Sequence, residues 1–431
     1  MANPFLLAVP LLLAASAGEA RPLSLAEAER YAEAHQALIA AARATTEASE
    51  AKVDVARAPL LPQVTGSAQY ARQTANSVPR GGAVVASGIG SGSMTSYNSW
   101  SFGVNASQTI WDFGQVRLGV TAQTELARAQ QASLQATRQG ALYAVRVAYA
   151  TAWANRALAD VARDNLANQE RHLAQIEGFV RAGTRPEIDL AQARADRANA
   201  VLGAVNADNA YAGAKAQLAS AMGWERLDDF DVTGDRVAPI AGEEGDLGAL
   251  VREASTRPDA RAAAHTLEGQ RASLGSARAG VYPTLTAQAG VSEGGSAIDN
   301  LAWNWNVGAA MSWPIFQGGV TRAQVRAAEA NTRAGEAQVD LVRQQARLDV
   351  TQARLAVRAA RASIEAAHEA EASARERLRL AEGRYQAGAG SILELSDAQL
   401  AATSASAQVV QAELNLSVAR AALAKALGRD G

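Results

Sequence analysis

Apolar and polar positions along this chain follow two periods, and the period switches at matching places in the two halves. Residues 24–58 carry a helical pattern. Ser24 and Glu27 have the spacing of a capping box, and Pro59 and Pro62 end the run. From Val64 the period drops to two: Val64, Gly66, Ala68 and Tyr70 alternate with Thr65, Ser67 and Gln69, which predicts a strand with two unlike faces. Residues 77–98 are rich in Gly and Ser and predict a loop. A second strand follows, in which Trp100, Phe102, Val104 and Ala106 alternate with Ser101, Gly103, Asn105 and Ser107. Helical spacing then runs without proline from about Gln115 to Val180. At 1.5 Å per residue that is a rod of about 100 Å, and a helix of that length points to a coiled-coil assembly. Glu187 to Met222 predicts a shorter helix.

The second half repeats this programme. Residues 224–245, with Asp228, Asp229 and Asp231, read as a polar linker. A helix is predicted from about Asp246 to Ala279, with Pro283 beyond it. In the strand that follows, Leu285, Ala287, Ala289 and Val291 alternate with Thr284, Thr286, Gln288 and Gly290. The clearest strand comes next: Trp303, Trp305, Val307, Ala309, Met311 and Trp313 face one way, and Asn304, Asn306, Gly308, Ala310 and Ser312 the other. A long helix from about Val320 to Arg384 and a last helix ending at Leu427 complete the copy. Gly183 and Gly388 lie 388 − 183 = 205 positions apart, and the same offset relates Ile110 to Ile315, Leu218 to Leu423 and Gly223 to Gly428. The chain therefore reads as a tandem duplication, residues 21–223 and 246–431. In the first copy the opening helix and the helix after the turn are about 52 and 54 Å long. Together they match the long helix, which predicts two half-length helices stacked beside a full-length one.

Four strands of about ten residues, each with one apolar and one small polar face, carry the alternation of a transmembrane β-barrel. Trp100, Phe102, Trp303, Trp305 and Trp313 are then the lipid-facing aromatics, with Trp100 and Trp303 at the strand ends where a girdle lies. A soluble sheet with one buried face has the same alternation, but it needs a helix face to cover these tryptophans, and the helices here are alanine-rich and much longer than the strands. Four strands cannot close a barrel, and an open edge cannot face lipid, so the barrel reading requires several chains.

Composition narrows the field. The net charge of −2 gives no footprint for nucleic acid. Aromatics are 5% of residues, which suits long helices packed through small side chains better than one thick core. The absence of cysteine from this sequence excludes disulfides, thiol catalysis, cysteine-ligated metal and a lipidated cysteine. Phe5 to Ala15 is apolar but too short to span a bilayer. Small residues follow it, so residues 1–20 read as an export signal cleaved after Ala17 or Ala20, although no Lys or Arg precedes the apolar run. Gly290-Val291-Ser292-Glu293-Gly294 matches a nucleophile-elbow pattern, but a loop and a strand follow it, not the helix such an elbow needs. His35, His172, His265 and His368 lie singly in helical sequence. Neither an enzyme nor a cofactor is expected.

The junctions Ile110-Trp111-Asp112-Phe113-Gly114 and Pro314-Ile315-Phe316-Gln317-Gly318-Gly319, the two turns, and the order helix, strand, strand, helix in each copy together resemble the TolC family of outer-membrane efflux and secretion channels. The likeness extends from about Leu23 to Gly428. It implies an α+β membrane protein, a homotrimer whose protomers each give four strands to a shared twelve-stranded barrel. A long α-helical coiled-coil tunnel continues into the periplasm, with residues 224–245 near its equator. It also implies the outer membrane of a Gram-negative bacterium, and docking to a periplasmic adaptor and an inner-membrane transporter of RND, ABC or MFS type. The function implied is a passive exit duct for efflux or type I secretion. A periplasmic coiled-coil tether is the rival reading.

The same resemblance assigns roles to particular residues. Glu394 and Asp397 take the positions of an acidic ring at the tunnel entrance, although Glu394 is also placed to form a capping box with Ser391. Asp189 and Tyr385 take the positions of links that close the tip, although Asp189 also reads as part of a solvated face. Gly390 stands where the family has an arginine, so one closing link is expected to be missing. Ala182, Gly183, Thr184, Ala387, Gly388 and Ala389 occupy the adaptor-contact tip, where each glycine also supplies a left-handed helix end.

Overall fold

Two helices of 67 residues and two of 36 repeat the same lengths in the two copies: α3 (Gln115–Arg181) and α7 (Val320–Gln386), then α4 (Glu187–Met222) and α8 (Ile392–Leu427). The computed structural model describes residues 21–74, 96–224, 230–234 and 236–429. The export signal, residues 77–95 of the expected loop, and Asp228 and Asp229 of the expected linker lie outside the described residues. The remaining elements are β1 (Arg21–Leu23), α1 (Leu25–His35), α2 (Ala37–Arg57), β2 (Gln63–Thr74), β3 (Ser96–Trp111), β4 (Phe230–Val232), α5 (Leu247–Ala254), α6 (Pro258–Ala279), β5 (Thr284–Ala297) and β6 (Asn300–Ser312). Among the described residues no helix is long and apolar enough to cross a membrane.

The chain forms two compact units, and each draws on both copies. One takes in Thr137–Ala254 and Leu348–Gly431 with the described part of Met1–Ala40; the other is Ala41–Ala136 with Ser255–Arg347. The second of these holds an antiparallel sheet in the order β2-β3-β5-β6. Its strands are 12 to 16 residues long, longer than the alternation suggests. Helix α2 lies along the first part of α3, where Gln130 Nε2 donates to Thr45 Oγ1 (3.1 Å) and Gln131 Nε2 to Glu50 Oε1 (2.7 Å). Helix α6 lies along the first part of α7 through Arg271–Glu336 (3.0 Å) and Arg278–Glu329 (2.9 Å). In the other unit α4 takes the later part of α3, with Arg197–Glu170 at 3.2 Å, and α8 takes the later part of α7, where Ser406 Oγ donates to Glu371 Oε1 (2.8 Å). The half-length helices thus divide the full-length ones between them.

Three local expectations are corrected. The opening helix breaks at Gln36, which is extended (φ −67°, ψ 118°) and donates its Nε2 to the Ala221 carbonyl (3.0 Å). The helix expected over 246–279 breaks before Pro258, because proline disfavours the helical region for the preceding residue; Arg257 sits at ψ 151°. The expected polar linker contains β4, which pairs in parallel with β1 through Arg21–Phe230, Pro22–Asp231 and Leu23–Val232. Phe230 and Val232 are fully buried against Leu23, Val145, Tyr149, Leu218 and Met222. The Tyr149 hydroxyl ties this pair to α3, donating to the Leu23 carbonyl at 3.0 Å.

Candidate functional site

The two turns are the same backbone device built twice. Gly183 and Gly388 adopt φ 72° and 76°, conformations that only glycine takes without strain. At the first, the Gly183 N–H donates to the Val180 carbonyl (2.9 Å) and the Thr184 N–H to Phe179 (3.0 Å). At the second, the Gly388 N–H donates to Tyr385 (3.1 Å) and the Ala389 N–H to Arg384 (2.9 Å). Every atom pair is offset by 205 residues. Ala182, Gly183, Thr184, Ala387, Gly388 and Ala389 are all exposed.

Beneath the turns lies a small core of Ile176, Ala193, Ala381, Leu395 and Ala398. Asp189 and Tyr385 are sealed into it, 5% and 4% exposed, and the Tyr385 hydroxyl donates to Asp189 Oδ2 at 3.2 Å. The contact joins α4 of the first copy to α7 of the second, so Asp189 does not belong to a solvated face. Burial, and then the Asp189 carboxylate, push the Tyr385 phenol above its ordinary value; the nearby Arg185 opposes them. Arg185 was not anticipated from the sequence. Its guanidinium lies 4.3 Å from the centre of the Tyr385 ring and donates Nη2 to the Tyr385 carbonyl (2.7 Å). Position 390, the 205-residue equivalent of Arg185, is glycine, and a Cβ there would meet the Tyr385 nitrogen at 3.0 Å. The duplication offset was the one signal that pairs these positions.

Glu394 and Asp397 differ from each other. The Glu394 N–H donates to Ser391 Oγ (3.1 Å), half of the expected capping box. Its carboxylate instead receives Arg384 Nη1 at 2.8 Å. Asp397 is exposed and has no ionic or hydrogen-bonding partner among the described residues.

The register of the sheet gathers the alternating residues onto two faces. Tyr70–Trp100, Ala68–Phe102, Val104–Val291 and Val291–Trp305 are direct partners, so the apolar residues of all four strands share one face. Thr65, Ser67, Asn105, Gln288, Gly290, Ser292, Asn304 and Asn306 share the other. Trp303 and Trp305 are each 66% exposed and Trp313 is 59% exposed; Phe102 is exposed, and Trp100 is half-buried against Tyr70. Trp100 and Trp303 lie a few residues inside β3 and β6, not at their ends. A bulge at Ile110 shifts parity, so that Trp111 pairs with Leu285 and joins the apolar face. Strict alternation hides Trp111, because only the pairing reveals the extra residue. Next to it Phe113, at φ 56°, stacks on Tyr282 (4.8 Å between ring centres). Asp112 fixes this corner by accepting from the amides of Gly114 (3.0 Å) and Val116 (2.7 Å).

Comparison with known proteins places this arrangement. The family model described as outer membrane efflux protein matches residues 30–224 and 250–429. The toluene efflux pump outer membrane protein TtgF of Pseudomonas putida is 31% identical over 205 residues, 45% of this chain and 41% of that protein. The outer membrane efflux protein BepC of Brucella suis is 25% identical over 297 residues, 67% of this chain and 59% of that protein. The chain thus aligns with less than two thirds of the length of these relatives. Among solved structures, the CmeC outer membrane channel of Campylobacter jejuni superposes with a TM-score of 0.83 at 19% identity, over 94% of this chain and 85% of that one. VceC of Vibrio cholerae does so with a TM-score of 0.81 at 21% identity, over 94% and 96%. These two likenesses establish the fold.

Proposed function

Because the chain belongs to the outer membrane efflux protein family, we propose that it forms the outer-membrane exit duct of a tripartite efflux pump. The observation that carries this reading is the sheet: one apolar face bearing exposed indoles, one small polar face, and unpaired outer edges on β2 and β6 among the described strands. A lone sheet of this kind is untenable in lipid. Joining β6 of one copy to β2 of the next lets three copies close a barrel whose polar faces line water and whose indoles meet lipid. Relatives named for toluene and solvent efflux favour small molecules over polypeptides as cargo. The tether reading leaves the exposed indoles of the apolar sheet face uncovered.

The turns then form the periplasmic end of the duct. Asp189 and Tyr385 tie the two helix pairs of one protomer together there, and Arg185 clamps the tyrosine from the other side. This supplies the closing contact that Gly390 cannot. The exposed residues 182–184 and 387–389 present the surface for an adaptor, through which an inner-membrane transporter engages. Asp397 from each protomer lends negative charge to the entrance, and cations are favoured there.

The protein is expected to run as a trimer from outer-membrane fractions in mild detergent, and to give discrete cation-selective steps in planar bilayers. A monodisperse monomer without conductance overturns the reading in favour of the tether.

A further inference from the structure

The aromatic residues of the apolar face form two rows. Tyr70, Trp100 and Trp303 form a row three or four residues inside one end of the sheet; Trp111 and Trp313 mark the other end, with Tyr282 beside them. Ten residues separate Trp303 from Trp313, about 33 Å along a strand. At the tilt usual in barrels this is a height of about 25 Å, the thickness of the apolar band. The row at Trp111 and Trp313 lies where α3 and α7 leave the sheet, at the inner boundary of the membrane.

Just past that row is a cavity of about 450 Å³ lined by Arg278, Val281, Thr321, Arg322, Val325 and Arg326. Its wall is continuous with the girdle, since Trp313 Nε1 donates to the Val281 carbonyl at 3.2 Å. Arg278 is paired with Glu329 (2.9 Å). Arg322 and Arg326 are exposed and have no ionic partner among the described residues. They stand four apart on α7, so their like charges oppose each other on one helix face. The first turn of α7 carries no acidic side chain to meet the positive end of the helix. Three guanidinium groups, one of them already paired with Glu329, and a helix start without an acidic side chain therefore converge one turn beyond the girdle, at the depth of lipid headgroups.

We propose that Arg322 and Arg326, with Arg278 and the first turn of α7, bind the phosphate of an anionic phospholipid headgroup in the inner leaflet of the outer membrane. Arginine suits the role because its planar fork binds two phosphate oxygens at once. The valines of the cavity and the girdle indoles cover the start of the acyl chains. The inference rests on the reading that this sheet lies in the outer membrane.

The test uses the delipidated trimer in detergent, titrated with phosphatidylglycerol or phosphatidylcholine of matched chains and read by native mass spectrometry. The wild type is expected to prefer phosphatidylglycerol by on the order of tenfold. Arg322→Gln with Arg326→Gln should erase that preference, and Arg322→Lys with Arg326→Lys should keep part of it; the trimer and its conductance should be unchanged throughout. Inorganic phosphate at equal concentration should not displace the lipid. Three outcomes overturn the proposal: equal preference in wild type and Gln variants, displacement by free phosphate, or loss of the trimer on substitution, which would assign the arginines to a neighbouring copy. If the double variant does not fold, the single Gln variants are measured the same way. Failure of the membrane reading would show separately, as wild-type protein that does not insert into vesicles.

Discussion

Asp189 and Glu394 occupy the same position of the duplicated turn, 205 residues apart, and their surroundings have diverged completely. Both are the third residue of a helix that follows a glycine-closed turn. Asp189 is buried beneath Tyr385; Glu394 lies half-buried at the surface and meets Arg384. The cap residues differ too. Ser391 offers its hydroxyl to the Glu394 amide, whereas the equivalent Pro186 has no side chain to offer. Across the pair, Tyr385 answers to Val180, Arg384 to Phe179 and Gly390 to Arg185. The two turns share one backbone geometry and differ in their side chains: the first supplies the buried acid and its arginine clamp, the second the tyrosine and the surface charge. Neither turn is complete alone.

This contrast can be tested by substitution, beginning where the effect is largest. Asp189→Ala strands the buried Tyr385 hydroxyl without an acceptor, a loss of about 2 kcal/mol. It should appear as faster hydrogen exchange in the first turn of α4 and a higher resting conductance. The same contact should yield to alkali. Because the Tyr385 phenol is raised above 10.0 in the folded chain, its contribution is complete below pH 10 and drains away as pH climbs through the raised value. Tyr385→Phe should abolish that alkaline opening. If Asp189→Ala and Glu394→Ala prove equally mild, the two turns are not specialised.

Next in size is Arg185→Ala, which removes a cation–π contact and a hydrogen bond to a carbonyl at a cost of about 1 kcal/mol. Conductance should rise, but less than in the aspartate variant, and Arg185→Lys should recover only part of the loss because lysine lacks the planar fork. Unchanged exchange of the Tyr385 region would remove Arg185 from the closing contact.

The smallest effect belongs to Glu394→Gln. An exposed pair with Arg384 is worth no more than about 0.5 kcal/mol, and the Ser391 cap survives the change. Stability should be nearly untouched, while Asp397→Asn should weaken cation selectivity more than Glu394→Gln does, measured as the reversal potential across a salt gradient. The reverse order would make Glu394, not Asp397, the larger contributor to the charge of the entrance.

What the sequence disclosed followed from how local each signal was. The strands were legible because Trp303, Val307 and Met311 stand against Asn304, Asn306 and Ser312 at a period that no helix shares. The turns were legible because Gly183 and Gly388 punctuate long helical runs. Contacts between distant segments left little trace. The β1–β4 pair is three residues long and joins segments some two hundred positions apart, so neither strand has room to show a period. Gln36 breaks a helix with no glycine or proline to mark the place, whereas Pro258 did mark its break and outweighs the helical pattern around it. The bulge at Ile110 changes which face Trp111 joins, and parity counted along one strand does not register an extra residue that only the partner strand defines. Arg185 finds Tyr385 across 200 positions.

The outer edges of β2 and β6, unpaired among the described strands, bear on the chain's life before it reaches its destination. Until a sister strand arrives, two rows of free amides and carbonyls flank a face of exposed tryptophans, the combination that drives chains to stack edge to edge. A finished sheet is therefore a hazard in transit. On the proposed trimer, closure of the sheet has to be coupled to the meeting of three copies. A mutation that speeds sheet formation in the isolated chain would then lower the yield of working channels while improving every contact within the protomer.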